Sequence, residues 1–320
     1  MDKIVANGPA EPAAPGTVSP TGADLYARFA LAGALCCAVT HGALTPVDVV
    51  KTRMQLDPAT YNRGMVTAFR QIIAAEGAGA LLTGFGPTAA GYFVQGAFKF
   101  GGYEFWKKQI IESVGAENAP AYRIPIYLTA SALAEFAADV ALCPLEATRI
   151  RLVSQPTFAS GLFGGFSRIF REEGVLRGFY SGFGPILLKQ VPYTMAKFAV
   201  YELAAEKIYD QISTPKSELP NSTITSINLG AGLIAGVAAA IISQPADTLL
   251  SKINKSKGAE GESITSRLVA LSKELGPRGL FLGLGARIVM VGTLTAGQFA
   301  INGDVKRMLG ATGGYEIAKA

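Results

Sequence analysis

Three stretches of the chain set a proline just ahead of an acid, and in two of them a base follows three residues after that acid. They are Pro46, Asp48 and Lys51; Pro144, Glu146 and Arg149; and Pro245 and Asp247, where Leu250 stands at the place of the base. Residues three apart share one face of a helix, so each acid and its base point the same way, and the proline bends the helix that carries them. Such groups can make and break ion pairs; they are not set up for covalent chemistry. No nucleophile and base pair, metal-ligand cluster or phosphate loop accompanies them, so an enzyme is not expected, and neither is a cofactor or a metal. Cys36, Cys37 and Cys143 offer no disulfide framework and no zinc spacing.

The prolines are 98 and 101 residues apart, and a second landmark, Gly84, Gly182 and Gly283, repeats with the same spacing. Three tandem units result. Counting 4, 7, 11 and 15 residues beyond each glycine follows one helix face. That face reads Thr88, Gly91, Gln95, Lys99; then Ile186, Lys189, Tyr193, Lys197; then Arg287, Met290, Leu294, Gln298. It carries four cations and no acid, which suits an anion. Lys189, ~10 Å along its helix, is expected near mid-membrane and is the first choice of ligand. Thr88, Gln95 and Tyr193 can add neutral donors, and Lys99, Lys197 and Arg287 complete the substrate set.

Counting five residues back from the prolines finds His41, the chain's only histidine, then Asp139 and Ala240. A histidine and a carboxylate thus occupy equivalent depths on two helices. With Glu135 one turn above Asp139 and Glu146 two turns below it, they form the expected proton-coupling set.

The elements that position these groups are apolar helices. Hydrophobic residues make up 49% of the 320 and charged ones only 17%, against roughly 25% in a soluble domain. Residues 29–47 and 227–246 approach the ~20 needed to cross a bilayer, and other apolar stretches are interrupted by charges, as helices lining a polar cavity would be. Each unit reads as an apolar helix into the proline, a connector with a short amphipathic helix such as residues 65–75 or 263–273, then a second apolar helix after the glycine. The expectation is an all-α membrane protein of six transmembrane helices in three tandem repeats around a central cavity. The units are placed at 25–118, 119–219 and 220–309, between a Pro-rich, disordered tail at 1–24 and a C-terminal tail at 310–320. The net charge of +5 is too small and too dispersed for nucleic acid.

These motifs resemble the mitochondrial carrier family, whose signature is P-x-[DE]-x-x-[KR]-x-[KR] in three repeats. Departures are Leu250, Thr83 and Ser181 at basic places and Leu275 at an acidic one. Longer strings, from Gly84 to Glu104, around Glu135, from Cys143 to Arg151 and from Lys189 to Tyr193, are similar to the phosphate-carrying branch of that family. The resemblance implies a monomeric, multi-pass inner-membrane carrier of inorganic phosphate coupled to a proton (or to hydroxide in exchange), working by alternating access, with its short helices on the matrix side and lipid, cardiolipin first, as a partner. The alternatives are another anion carrier of the family, for dicarboxylates for example, or an uncoupled anion channel.

In that family the acid of one repeat pairs with the base of the next to close the matrix side. The resemblance therefore implies a matrix gate of Asp48 with Arg149 and Asp247 with Lys51, leaving Glu146 without a partner and free to carry a proton. A cytoplasmic gate is implied where Tyr103, Glu104 and Lys107 match the family pattern. It should be weak, because Ala205 replaces a base after Glu202 and Gly303 replaces an acid before Lys306; the expected pair is Glu202 with Lys306, or Glu104 with whatever cation reaches it.

Overall fold

The computed structural model describes residues 22–57, 59–61, 64–155, 157–215, 218–255, 264–281, 283–311 and 317. The expected N-terminal tail thus falls almost wholly outside the described residues, as does Ser263 of the third connector.

Every regular element among the described residues is helical. Three long helices carry the prolines: α1 (Gly22–Leu56), α5 (Arg123–Ser154) and α9 (Asn221–Lys255). Each has the length and composition to cross a membrane. Their partners are α3 (Phe85–Gly96), continued through a π-helical turn (Ala97–Gly101) into α4 (Gly102–Val114); α8 (Phe183–Asp210); and α11 (Leu284–Met308). In between lie α2 (Met65–Glu76), α6 (Gly161–Glu172), α7 (Gly174–Phe179) and α10 (Ile264–Leu280). The six spans close a ring in chain order: α1 packs on α3 and the π-turn, α3 and α4 on α5, α5 on α8, α8 on α9, α9 on α11, and α11 back on α1.

Unlike a soluble bundle, the ring turns apolar faces outward. Leu31, Leu35 and Val39 of α1, Phe93 and Phe98 of the second span, and Leu229, Leu233 and Ile234 of α9 are exposed, while polar residues of the same helices are buried. Only a hydrocarbon solvent makes that arrangement stable, because it leaves polar groups one another as partners. Small residues bring the helices close. Gly33 of α1 lies against Gly96 of α3 so tightly that a Cβ on either would run into the other's carbonyl oxygen, and Gly232 and Gly236 of α9 face Ala296 and Gly292 of α11 in the same way.

The short helices dock on the proline ends. Ala68 and Ile72 of α2 pack on Val50 of α1, and Ile169 of α6 packs on Leu152 of α5. Phe163 and Leu176 stay exposed, as suits helices lying along an interface.

Candidate functional site

Three charged layers cross the ring. The central one gathers the residues fifteen beyond the landmark glycines and those five before the prolines. Lys99 sits in the π-turn, an irregularity that re-aims one side chain without ending the helix. Its ammonium lies 3.0 Å from Glu135, which is 0% exposed and also accepts from Thr194 Oγ1 at 2.8 Å and Gln95 Nε2 at 3.3 Å. Gln95 also reaches Asp139, at 3.4 Å. Asp139 is equally buried, and its Oδ2 has no hydrogen-bond partner among the described residues.

Lys197 is different. It is 1% exposed, and among the described residues no carboxylate lies within ion-pair distance of it. It donates to Gln298 Oε1 at 3.3 Å and otherwise faces the rings of Phe100, Tyr193, Phe198 and Phe299, 5.1–5.8 Å from their centroids. Gln298 Nε2 in turn lies 3.2 Å from His41 Nε2, and the imidazole is stacked on Tyr92. Tyr193 Oη shares a hydrogen bond with Thr295 Oγ1.

At the proline end the charges divide into two groups. Arg149 joins α1 to α5, lying 3.4 Å from Asp48 and 2.9 Å from Glu146. Asp247 of α9 is instead held by Arg287 of α11 and, at 3.9 Å, by Lys189 of α8. Arg287 also donates to Ser243 at 2.9 Å. Several expectations are corrected here. Asp247 does not meet Lys51, because its ring neighbours α8 and α11 supply nearer cations. Glu146 is not partnerless, because Arg149 reaches back one turn to it. Lys189 is not at mid-depth: α8 has 28 residues and is ~42 Å long, so ~10 Å along it is still the mouth, where the side chain is 38% exposed. Thr88 is also spent elsewhere, donating to Gly84 of its own helix.

The opposite end is tightly joined. Lys306 reaches Glu104 at 3.0 Å; Lys107 reaches Glu104 at 3.1 Å and Glu202 at 3.2 Å; Tyr103 Oη also donates to Glu202. Of the two expected arrangements, Glu202 with Lys306 is not formed, whereas Glu104 does take a cation from another helix, Lys306. Each acid takes its cation from the other direction around the ring, so the two missing groups, at Gly303 and Ala205, would have belonged to one and the same pair. The remaining two pairs are intact, which is why this layer is stronger than expected. Tyr201 with Asn228 (3.0 Å) supplies a neutral bond between α8 and α9 instead.

Gln298, Thr194 and Tyr92 were not among the expected site residues. Gln298 could have been found, since it holds the place in the third unit that Lys99 and Lys197 hold in the first two. Thr194 and Tyr92 lie off the counted face, and only the packing brings them in.

A sequence profile described as "Mitochondrial carrier protein" matches residues 24–114, 121–211 and 223–312. The chain is 52% identical over 292 residues to "Mitochondrial substrate carrier family protein N" of Dictyostelium discoideum, covering 90% of this chain and 96% of that one. It is 44% identical over 294 residues to "Phosphate carrier protein, mitochondrial" of Caenorhabditis elegans (92% and 84% covered). It is 43% identical over 291 residues to "Probable mitochondrial phosphate carrier protein" of Schizosaccharomyces pombe (90% and 93% covered).

Proposed function

Since the chain belongs to the mitochondrial carrier protein family, we propose that its polar interior carries inorganic phosphate across the mitochondrial inner membrane together with a proton. The observation that carries this reading is Lys197: a buried ammonium that, among the described residues, is held by an amide oxygen and aromatic faces and by no carboxylate within ion-pair distance. A cation in such a place lacks a balancing charge and attracts an anion strongly. Lys99 cannot play that part alone, because Glu135 already neutralises it. The names of the worm and fission-yeast relatives make phosphate the anion to test.

Phosphate on Lys197 has hydroxyl and amide donors at hand in Tyr193, Gln95 and Gln298. Protons can travel on His41, or on Asp139 at its unpartnered oxygen. Lys189 and Arg287, clasped on Asp247 at the exposed mouth, then act as a first station that an entering anion meets, in competition with that aspartate. The end joined by Glu104, Lys107, Glu202 and Lys306 is read as the closed cytoplasmic gate. The divided layer of Asp48, Lys51, Arg149, Glu146 and Asp247 is read as the matrix gate half joined, with Asp48 on Arg149 and Asp247 on Arg287 and Lys189 in place of Lys51. Alternating access consists of exchanging one layer for the other around a fixed central site.

The test is phosphate uptake into liposomes holding the purified chain, with and without a pH gradient and with a dicarboxylate as competitor. Saturable uptake, stimulated by an inward proton gradient and indifferent to the dicarboxylate, is expected. Competition would make it a dicarboxylate carrier, and unsaturable flux an anion channel.

A further inference from the structure

Between His41 and the buried Lys197 lies one amide, and its orientation is fixed by what its neighbours can donate. Lys197 has only donors, so Gln298 must turn its Oε1 toward Lys197, as the 3.3 Å contact has it. Nε2 then faces His41 Nε2 at 3.2 Å. An amide NH2 can only donate, so the ring nitrogen facing it must accept. The geometry therefore defines His41 in this conformation as a neutral imidazole with its hydrogen on Nδ1.

We propose that Gln298 is a switchable amide that makes a proton on His41 and phosphate on Lys197 depend on each other. This rests on the reading of Lys197 as the phosphate ligand. A proton arriving from water at His41 Nε2 turns that acceptor into a donor and sets it against the amide NH2. Half a turn of the amide relieves the conflict by presenting Oε1 to the imidazolium, and it also points the NH2 at the Lys197 ammonium. Lys197 loses its acceptor, and a phosphate oxygen takes the vacated place, with the amide NH2 as a second donor. Phosphate departure reverses the sequence: Lys197 reclaims Oε1, the NH2 turns back to His41, and the proton leaves Nε2. No bond other than N–H is made or broken.

The surroundings of His41 work in the same direction. Tyr92 of α3 is stacked on the ring, Lys99 of the π-turn, Lys197 of α8 and Arg149 of α5 are the charges that act on it, and α11 presents Gln298. The charges of α4 are spent at the far end, Glu104 with Lys107 and Lys108 with Glu112. A proton on His41 thus adds positive charge among cations, and the arriving anion balances it. Coupling of this kind is reciprocal: whatever factor the proton contributes to phosphate affinity, phosphate contributes to proton affinity. One charge-assisted hydrogen bond gained or lost corresponds to roughly tenfold.

The experiment titrates inorganic phosphate against the purified full chain in detergent, reading thermal stabilisation at about pH 6 and about pH 8, which straddle histidine titration. The ionisation of phosphate itself is common to all variants, so the comparison is between proteins. For the native chain, affinity should fall roughly tenfold toward the higher pH. Gln298→Met removes the amide while keeping the length; Lys197 then never has a competing acceptor, and affinity should fall with pH clearly less than in the native chain, since only the charge of His41 is left to couple. Gln298→Glu accepts on both sides and pins Lys197, so affinity should be low at both. Should the methionine variant fail to fold, the glutamate variant carries the test alone. A native pH slope in either variant overturns the switch. Lys197→Met should abolish binding; if it binds phosphate like the native chain, it is the ligand reading beneath the switch that falls. Loss in Lys197→Met together with a native slope in Gln298→Met leaves the ligand standing and removes the switch alone.

Discussion

Lys99 and Glu135 face each other across 3.0 Å in the middle of the ring, the acid wholly buried and the base 4% exposed. A pair placed so deep is held by the absence of any other solvent for either charge. Removing one partner leaves the other buried and uncompensated, at a cost of ~3–5 kcal/mol. Lys99→Met and Glu135→Gln should therefore each lower the thermal stability of the purified protein by much more than a surface change does. The double variant should recover a large part of the loss, because a neutral pair needs no counter-charge. A double variant as unstable as the sum of the singles would show that the two act through different partners. Thr194 and Gln95, which also bond Glu135, will keep the recovery incomplete.

The gate at the opposite end offers a graded test. Lys107 touches both Glu104 and Glu202, whereas Lys306 touches only Glu104, and Glu104 keeps Lys107 when Lys306 is removed. Lys107→Met should thus weaken closure there more than Lys306→Met. The measurement is the rate at which a membrane-impermeant thiol reagent modifies a cysteine placed inside the ring, added from the outer side of the liposome-reconstituted protein. The order native, then Lys306→Met, then Lys107→Met is expected. The reverse order would mean that Lys306 is the principal closure.

Much of this was legible in the residues themselves. The threefold recurrence of proline and glycine landmarks fixed the number of long helices and the faces that meet, because a helix face follows from counting alone. The positions fifteen beyond each glycine did converge. What counting could not supply was depth and choice of partner. Lys189 lies at the mouth because α8 is longer than the bilayer is thick, which the motif does not show, and Asp247 meets Arg287 because ring neighbours lie nearer than helices across the interior. The π-turn under Lys99 has no signature in periodicity, yet it helps aim that side chain at Glu135. In the sequence Gly303 and Ala205 are two separate weaknesses; only the direction of pairing reveals that they fall into one missing pair.

Helix contact makes a further, simpler prediction. A Cβ on Gly33 or on Gly96 would collide with the carbonyl oxygen of the other, which belongs to rigid helical backbone. Neither helix can yield by a rotamer change. Gly96→Ala should therefore force α1 and α3 apart and lower stability by ~1–3 kcal/mol, the usual cost of overpacking. Thermal unfolding in detergent measures it, with Gly86→Ala as the control, since nothing lies near its Cβ position. Equal effects of the two would refute the close contact.

Lys51 provides the test of exchange between gates. It lies close enough to Asp48 to be felt electrostatically, yet no described carboxylate is within ion-pair distance of it, and Asp247, its expected partner, is held by Arg287 and Lys189. In the arrangement described here Lys51 therefore contributes little, and Lys51→Met should change thermal stability by no more than ~0.5 kcal/mol, as surface substitutions usually do. If the matrix layer closes by handing Asp247 from Arg287 to Lys51, the same variant must lose the closed form, and phosphate exchange in liposomes should fall roughly tenfold, the equivalent of one ion pair between partly buried groups. Arg287→Met should behave oppositely: it removes a cation that Asp247 uses now, so stability should drop along with transport. The contrast between the two variants is the observable. Parallel losses of stability and transport in Lys51→Met would make it an ordinary structural cation. Undiminished exchange would mean that Asp247 closes the layer with some other group than Lys51.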